Sequence, residues 1–232
     1  FNVTANIDNL NMFIDNVISL MHDKTILNIE TFSWAGIIDK NLIDNIYHEH
    51  ISYFHLQPLI KFFKKKGLEV IRSEYNNSKG SSLLIHVAKK NSYKVEKKLI
   101  SKCLLYEKKL KLNQKNVCKK IISLNYQIKL KINELLNKMS KKFKIVGFGA
   151  SCGTTTLLTY FEISKYIDYL VDDEKLRHNL YSPHFNLKIK KPKNLLNKKV
   201  LILAWRYSQN IILKYNKIMK HKNIIRILPK VS

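Results

Sequence analysis

The first part of the chain alternates between two spacings of hydrophobic positions. Segments in which apolar residues recur every three or four positions are predicted to form helices with one buried face. Short apolar runs bounded by polar loops are predicted to form buried strands. Gly67 directly follows a helical segment and is suited to end it. These patterns predict helices over residues 9–22 and 56–66 and strands over 25–30, 68–74 and 82–88, with an irregular stretch from 31 to 53.

Residues 93–141 contain neither glycine nor proline, and their apolar residues recur at helical spacing. This pattern predicts one long helix or two helices in tandem, with lysines on the outer face. We prefer a connecting helix with a solvated face to a coiled coil, because no strict heptad persists along the segment.

A second series of alternating strands and helices begins at Phe143. The apolar run that starts there leads into a glycine turn and predicts a strand followed by a helix. Alternation of this kind is typical of a parallel sheet joined by right-handed crossovers. The remaining predicted strands cover residues 166–171, 199–204 and 224–228, and the predicted helices cover 151–161 and 207–220.

Composition narrows the class of protein. The chain is 45% hydrophobic, which favours a packed core, and no apolar run approaches the roughly 18 residues that a membrane span needs. The formal net charge of +25 is typical of a protein that binds nucleic acid or a membrane surface, or of a composition biased towards Lys, Asn and Ile. We prefer the compositional explanation and expect neither nucleic acid nor a membrane as a partner. The surplus charge still favours an anionic substrate, such as a diphosphate.

The cysteines indicate the compartment. Cys103, Cys118 and Cys152 form neither a CxxC pair nor a zinc-binding pattern. An odd number of cysteines without a disulfide framework fits a reducing environment, so we expect a cytoplasmic protein.

A glycine turn lies between a predicted strand and a predicted helix. Its residues include Gly147, Gly149, Ala150 and Ser151. Glycines in such a turn let the backbone approach a ligand closely, and the N-terminus of the following helix can present N–H groups to a phosphate. The turn is therefore a candidate ligand-binding loop.

Three interpretations of this turn remain open. Asp172 and Asp173 end the next strand, about where a dinucleotide-binding fold keeps its ribose-binding acid, which favours an oxidoreductase. The GxGxxxG spacing is one residue longer than the dinucleotide fingerprint, which favours a related loop for another phosphate-bearing ligand. The third interpretation is a tight strand-to-helix turn without a ligand.

Residues 47–55 hold three histidines, one glutamate and two tyrosines. Histidine titrates near neutrality and suits proton transfer, and a tyrosine hydroxyl can donate to a developing oxyanion. His48 and His50 would share one side of an extended segment, whereas Tyr47 and His50 would share a face of a helix, and the sequence does not decide between them. A metal site is a rival interpretation, but no further ligand follows at a usual spacing, so we expect no metal. An ordinary structural cluster of histidines is the other alternative.

Together these stretches resemble the family of sugar C-methyltransferases that depend on S-adenosylmethionine (SAM). The resemblance covers nearly the whole chain. The stretches that carry it are YHEHISYF at 47–54, the loop and strand at 80–87, GFGA at 147–150 with the threonine and leucines at 155–158, VDD at 171–173 and LILAW at 201–205.

The resemblance implies an α/β fold in three parts. These are part of a class I methyltransferase sheet over residues 1–92, a helical connector over 93–141 and a Rossmann-like parallel α/β domain over 142–232. It also implies that SAM is the cofactor and that a nucleoside-diphosphate keto-sugar is the substrate. The proton beside the keto group would be removed, and the resulting enolate would attack the methyl carbon of SAM.

The resemblance further assigns roles to residues of this chain. His50 is the implied base, with Glu49 and Tyr47 assisting it, and Asn6 is the implied contact to the cofactor. The implied substrate-binding residues are His48, Ser82, Gly147, Gly149, Ala150 and Ser151.

By the same resemblance, the chain begins after the fourth strand of a SAM-binding domain. The glycine loop that holds SAM and a cysteine-rich zinc region would then lie upstream of it. Residues 1–232 alone are expected to be inactive and to bind SAM weakly. Asn6, Ser81 and Leu84 replace a His, a Gly and an Arg that relatives often carry.

Two other functions stay open on the sequence. An NAD(P)-dependent oxidoreductase would use the glycine turn for its cofactor. A basic, non-catalytic binding protein would account for the net charge of +25.

Overall fold

The chain divides into two units in the computed structural model, which describes residues 2–229 and 231–232. Unit 1 comprises Phe1–Leu42 and His48–Lys119, and unit 2 comprises Ile43–Tyr47 and Lys120–Ser232. The short segment of unit 2 directly precedes the histidine cluster in sequence. The three-part domain organisation implied by the resemblance stays a prediction.

The elements of unit 1 follow the predicted order, with one helix added. They are α1 Leu10–Leu20, β1 Leu27–Phe32, α2 Trp34–Lys40, α3 Leu56–Lys65, β2 Leu68–Asn76, β3 Ser82–Lys89 and α4 Lys97–Lys109. Polar side chains start two of the helices, because a side-chain oxygen satisfies an N–H group of the first turn. Asn9 accepts a hydrogen bond from the N–H of Met12 in α1 (3.0 Å), and Ser33 accepts one from the N–H of Gly36 in α2 (2.9 Å).

The predicted irregular stretch is wrong over Trp34–Lys40, which forms α2. This helix has only 7 residues, and consecutive residues Ala35, Gly36 and Ile37 are all buried. A helix this short and buried on more than one side shows no contrast between apolar and polar positions. The periodicity that reveals the other helices is therefore missing from it.

The strands of unit 1 form one sheet in the order β1-β3-β2. The central strand β3 runs antiparallel to both neighbours, so β1 and β2 run parallel to each other. Phe32 ends β1 and Asn76 ends β2, and both residues pair with Ser82, which begins β3. We call this side of the sheet the carboxyl edge of unit 1. Ligands of open α/β sheets bind outside the carboxyl ends of the strands.

Apolar side chains on one face of this sheet form the core of unit 1. Ile29, Leu83 and Val87 are buried there together with Ile14 of α1 and Phe63 of α3. Burial of each such side chain stabilises the fold by about 2 kcal/mol. The helices thus fix the sheet from one side and hold its carboxyl edge in a constant shape.

A buried carboxylate joins α4 to the start of α3. The carboxylate of Glu107 accepts hydrogen bonds from the N–H groups of Leu56 and Gln57 (the latter 3.1 Å) and from the hydroxyl of Tyr75, and it lies 3.0 Å from Nδ1 of His55. Burial alone would raise the pKa of Glu107, but these donors outweigh it and hold that pKa below its usual value. Glu107 therefore supplies the cap that α3 lacks locally.

The glycine-free segment 93–141 forms two helices, α4 and α5 Val117–Ser140, rather than one. Between them Lys111 adopts a left-handed backbone conformation with φ of +56°, and Leu112 is buried. A helix cannot continue through a residue with positive φ, so the chain breaks there without a glycine or a proline. Ile128, Ile132 and Leu136 of α5 are buried at a spacing of four residues.

Unit 2 contains a parallel sheet, as predicted, and the α/β fold class is confirmed. Its strands have the order β6-β5-β4-β7-β8 and are parallel at every pairing. The sequence did not indicate β6, because a strand of 2 residues flanked by lysines has no apolar run. The elements after α5 are β4 Ile145–Phe148, α6 Cys152–Phe161, β5 Tyr169–Val171, β6 Ile189–Lys190, β7 Lys199–Ile202, α7 Ser208–Tyr215 and β8 Ile224–Arg226.

A helix that spans a bilayer needs about 20 predominantly apolar residues. Within the described part of the chain, every helix is too short or too polar to cross a membrane.

Replacement of Glu107 by Ala should lower the free energy of unfolding by about 3 kcal/mol, because buried N–H and O–H donors lose their acceptor. Equilibrium denaturation with urea at neutral pH measures this difference. Glu134→Ala, at an exposed position of α5, is the control and should change stability little.

The stabilisation by Glu107 should also depend on pH. Its pKa is lower in the folded state, so the ionised form stabilises the fold above the unfolded pKa and loses this effect as the pH falls through the folded value. Urea titrations between about pH 6 and pH 3 should therefore show a steeper loss of stability for the wild type than for Glu107→Gln. Parallel curves for the two proteins would contradict this role.

Candidate functional site

The imidazole of His50 lies at the carboxyl edge of unit 1. Only 5% of the residue is exposed, and its ring centroid lies 4.1 Å from that of Phe32, the last residue of β1. The ring of Tyr53 approaches His50 edge-on at 6.4 Å. The ammonium group of Lys79 lies 5.6 Å from the centroid of the Phe32 ring. The ring of Phe32, at the end of β1, therefore lies close to both an imidazole and a cation.

The residues around His50 adopt neither conformation that the sequence left open. His48 and Glu49 form an exposed turn, and His50 follows it as a buried residue outside regular structure. Because the chain turns at these positions, the side-by-side arrangements expected for a strand or a helix do not arise. The turn leaves the side chains of His48 and Glu49 exposed to solvent.

A backbone contact brings Asn6 next to this cluster. The carbonyl of Ala5 accepts hydrogen bonds from the N–H groups of Ile51 (2.9 Å) and Ser52 (3.1 Å). Ala5 is buried in a short 3-10 turn, Thr4–Asn6, and Asn6 at the end of that turn is exposed. The structure therefore places the residue implied to contact the cofactor beside the segment that carries the implied base.

Ser82 is fully buried at the same edge, opposite Phe32 in the strand pairing. Its hydroxyl donates a hydrogen bond to the carbonyl of Ser78 (3.1 Å). The neighbouring Ser81 packs so closely on Gly36 that a Cβ there would lie 2.2 Å from the Cβ of Ser81. Ser82 thus shapes the loop that carries Lys79.

Packing within unit 2 accounts for both glycines of the predicted ligand loop. A Cβ on Gly147 would lie 2.6 Å from Cδ2 of Leu170 and 2.7 Å from Cδ1 of Leu203. Gly149 has φ of +115°, and a Cβ on it would lie 2.9 Å from Ala204. These glycines let neighbouring strands and loops pack together, which is a requirement of the fold itself.

The acidic residues after β5 are engaged by the chain itself. One oxygen of Asp172 accepts a hydrogen bond from the N–H of Ala150 (2.7 Å), and the carboxylate also pairs with Arg177 (3.2 Å). Asp173 pairs with Lys214 (2.7 Å), and its pKa is lowered because the hydrogen bonds from Lys214 and Tyr215 outweigh its burial. Both carboxylates already bind groups of the chain instead of offering a free acceptor to a ribose hydroxyl. The geometry therefore does not support the dinucleotide interpretation.

Ser151, the N-cap residue of α6, is exposed. The N–H of Ser151 is 3.3 Å from the hydroxyl of Thr154, which accepts from it. Ala150 and Ser151 thus lie together between β4 and α6 in unit 2. Ser82, another implied substrate-binding residue described above, lies in unit 1.

The segment Ile43–Tyr47 forms an ion pair, missed by sequence reasoning, with Arg206 in the short turn Trp205–Tyr207 that follows β7. Nη2 of Arg206 lies 3.0 Å from Oδ2 of Asp44, and Nη1 donates a hydrogen bond to Oδ1 of Asn45 (2.8 Å). Burial raises the pKa of Asp44, and the Arg206 guanidinium only partly offsets that rise. Tyr47 follows this anchored stretch directly.

One signal in the sequence points to such a pair. The chain contains 42 Lys+Arg residues, and nearly all of them are lysines. The planar guanidinium can hold two acceptors at once, which a lysine ammonium cannot do in the same geometry. Each of the few arginines in this lysine-rich chain is therefore a candidate for a buried side chain that donates to two acceptors.

Comparison with known proteins adds the family. A family model described as the C-methyltransferase C-terminal domain matches residues 77–229, which is more than half of the chain. The chain belongs to the C-methyltransferase family. Over 213 residues it is 22% identical to the C-methyltransferase NovU of Streptomyces niveus, and this alignment covers 90% of the chain and 51% of NovU. The chain thus spans about half the length of this curated relative.

Membership of the C-methyltransferase family supports the methyltransferase prediction over the oxidoreductase alternative. The described part of the chain contains no group of three or more His, Cys, Asp or Glu side chains suited to hold a metal ion.

If Gly147 serves packing, as its neighbours indicate, Gly147→Ala should lower the free energy of unfolding by about 2 kcal/mol. Gly67→Ala is the comparison, since Gly67 has φ of +73° but no atom within 4 Å of a built Cβ. Backbone strain alone should cost that variant about 1 kcal/mol. Thermal unfolding followed by circular dichroism measures both, and a Gly147→Ala protein as stable as the wild type would exclude the packing role.

Proposed function

We propose that the chain contributes to a SAM-dependent C-methyltransferase that acts on a nucleoside-diphosphate keto-sugar. Family membership supports the methyl transfer to carbon. The observation that carries the remainder is the buried imidazole of His50 on Phe32 at the carboxyl edge of unit 1. A proton acceptor held at a ligand-binding edge is what the formation of an enolate requires.

In this proposal His50 removes the proton from the carbon beside the keto group. A neutral imidazole accepts a proton near neutral pH, and the rings of Phe32 and Tyr53 restrict its orientation. Restricting the orientation of a base lowers the entropic cost of reaching the reactive geometry. The carbon then carries the electron pair that forms the new bond.

The neighbours of His50 have assisting roles in the proposal. Glu49 and Tyr47 assist the base, and His48 contacts the substrate. Glu49 and His48 are exposed in the turn before His50, where an incoming ligand can reach their side chains. Lys79, on the loop shaped by Ser82, adds a positive charge at the same edge, which suits an anionic substrate.

The glycine turn of unit 2 is proposed to contact the nucleotide or sugar. Its two glycines have packing roles, but Ser151 is exposed at the first turn of α6 and can donate from its hydroxyl. Gly147, Gly149 and Ala150 set the shape of the backbone there. The surplus of positive charge on the chain favours binding of a diphosphate.

SAM supplies an electrophilic methyl group when it is bound. Of the described residues, Asn6 fits a contact to it, because its exposed carboxamide offers both a donor and an acceptor beside the His50 segment. Ala5 and the N–H groups of Ile51 and Ser52 hold that turn in place. The substitution of Asn6 for the His of many relatives leaves proton transfer to His50.

His50→Ala should lower kcat for methyl transfer from labelled SAM to a keto-sugar nucleotide at least about 100-fold in the intact protein. His22→Ala is the matched control, because His22 is an exposed histidine just after α1. It should leave kcat unchanged. Equal rates for His50→Ala and the wild type would remove His50 as the base.

A further inference from the structure

The segment Ile43–Tyr47 lies close against helix α6 of unit 2. The carbonyl of Ile46 accepts a hydrogen bond from the hydroxyl of Thr156 (3.3 Å). A Cβ on Gly153 would lie 3.0 Å from the carbonyl oxygen of Asp44, so a side chain at that position would crowd the segment. The absence of a side chain at Gly153 therefore permits this close approach.

One guanidinium group holds two consecutive side chains of the segment. Arg206 contacts the carboxylate of Asp44 and the amide oxygen of Asn45, and only 3% of each of these two residues is exposed. The N–H groups of a planar guanidinium donate in fixed directions. Such charge-assisted hydrogen bonds therefore set the orientation of the acceptor side chains as well as their distance. The backbone at these two residues is thus fixed both by its packing on α6 and by Arg206.

We propose that Arg206 and Asp44 are positioning residues for the methyl transfer. Asp44 precedes Tyr47 by three residues in the same short segment of unit 2, so its attachment restricts where Tyr47, the residue proposed to assist the base, is presented. A displacement of about 1 Å in a reacting group can lower a rate about 100-fold. This role rests on the proposed function, because it assumes that the histidine cluster carries the chemistry.

Arg206→Ala in the intact protein tests the role. We expect kcat for methyl transfer to fall at least about tenfold with little change in KM, because the reacting groups shift while the substrate contacts remain. Arg206→Lys should restore only part of kcat, because an ammonium group keeps the charge but loses the fork. The backbone amides of Ile46 and Tyr47 should exchange hydrogen faster in Arg206→Ala than in the wild type.

Two further variants supply a control and a second, milder disruption of the same segment. Lys129→Ala removes a cation from another ion pair of unit 2, with Glu162 at 2.5 Å, and should change neither kcat nor exchange. Thr156→Val removes the hydrogen bond to Ile46 with almost no change of shape, and it serves if Arg206→Ala does not fold. We expect it to lower kcat about threefold and to speed exchange over the same amides.

Each result decides the inference. Unchanged amide exchange in Arg206→Ala and Thr156→Val would overturn it, whatever the activity. Faster exchange with unchanged kcat would also overturn it while leaving the proposed function intact. A wild-type protein that transfers no methyl group would contradict the proposed function, and the positioning role would fail with it.

Discussion

The contact between the His50 imidazole and the Phe32 ring places a buried imidazole at the carboxyl edge of unit 1. Phe32 ends β1, which pairs with β3, and side chains of β3 pack in the core of unit 1 with those of α1 and α3. The imidazole is therefore held against a side chain of the sheet, although His50 itself lies outside regular structure. Catalytic groups held by a rigid scaffold lose less entropy on reaching the reactive geometry.

The chain on either side of His50 makes contacts within its own unit. Before it, Arg206 and α6 fix Asp44 and Asn45, and after it, the carbonyl of Ala5 binds the N–H groups of Ile51 and Ser52. The exposed turn with His48 and Glu49 lies between these attachments. The proposed base therefore lies in a short stretch that contains an exposed turn.

Much of the fold was predictable from local patterns. Helical spacing located α1 and α3, apolar runs located β2 and β3, and the alternation after Phe143 predicted the parallel sheet. The pattern failed for α2 and β6, which are short and buried or flanked by lysines. It also predicted neither the break at Lys111 nor the turn at His48, because isolated backbone conformations leave no periodic trace.

The candidate site was predictable in its residue types but not in its contacts. The YHEH stretch suggested proton transfer, yet the partner Phe32 and the pair of Asp44 with Arg206 join residues far apart in the chain. Such contacts depend on the tertiary fold, which one sequence does not reveal. The most direct test of His50 as the base is deuterium incorporation in D₂O at the carbon beside the keto group of a keto-sugar nucleotide, measured without methyl transfer. Exchange by the intact wild type and its loss in His50→Ala is the predicted result, whereas equal exchange in both proteins would contradict the role of His50.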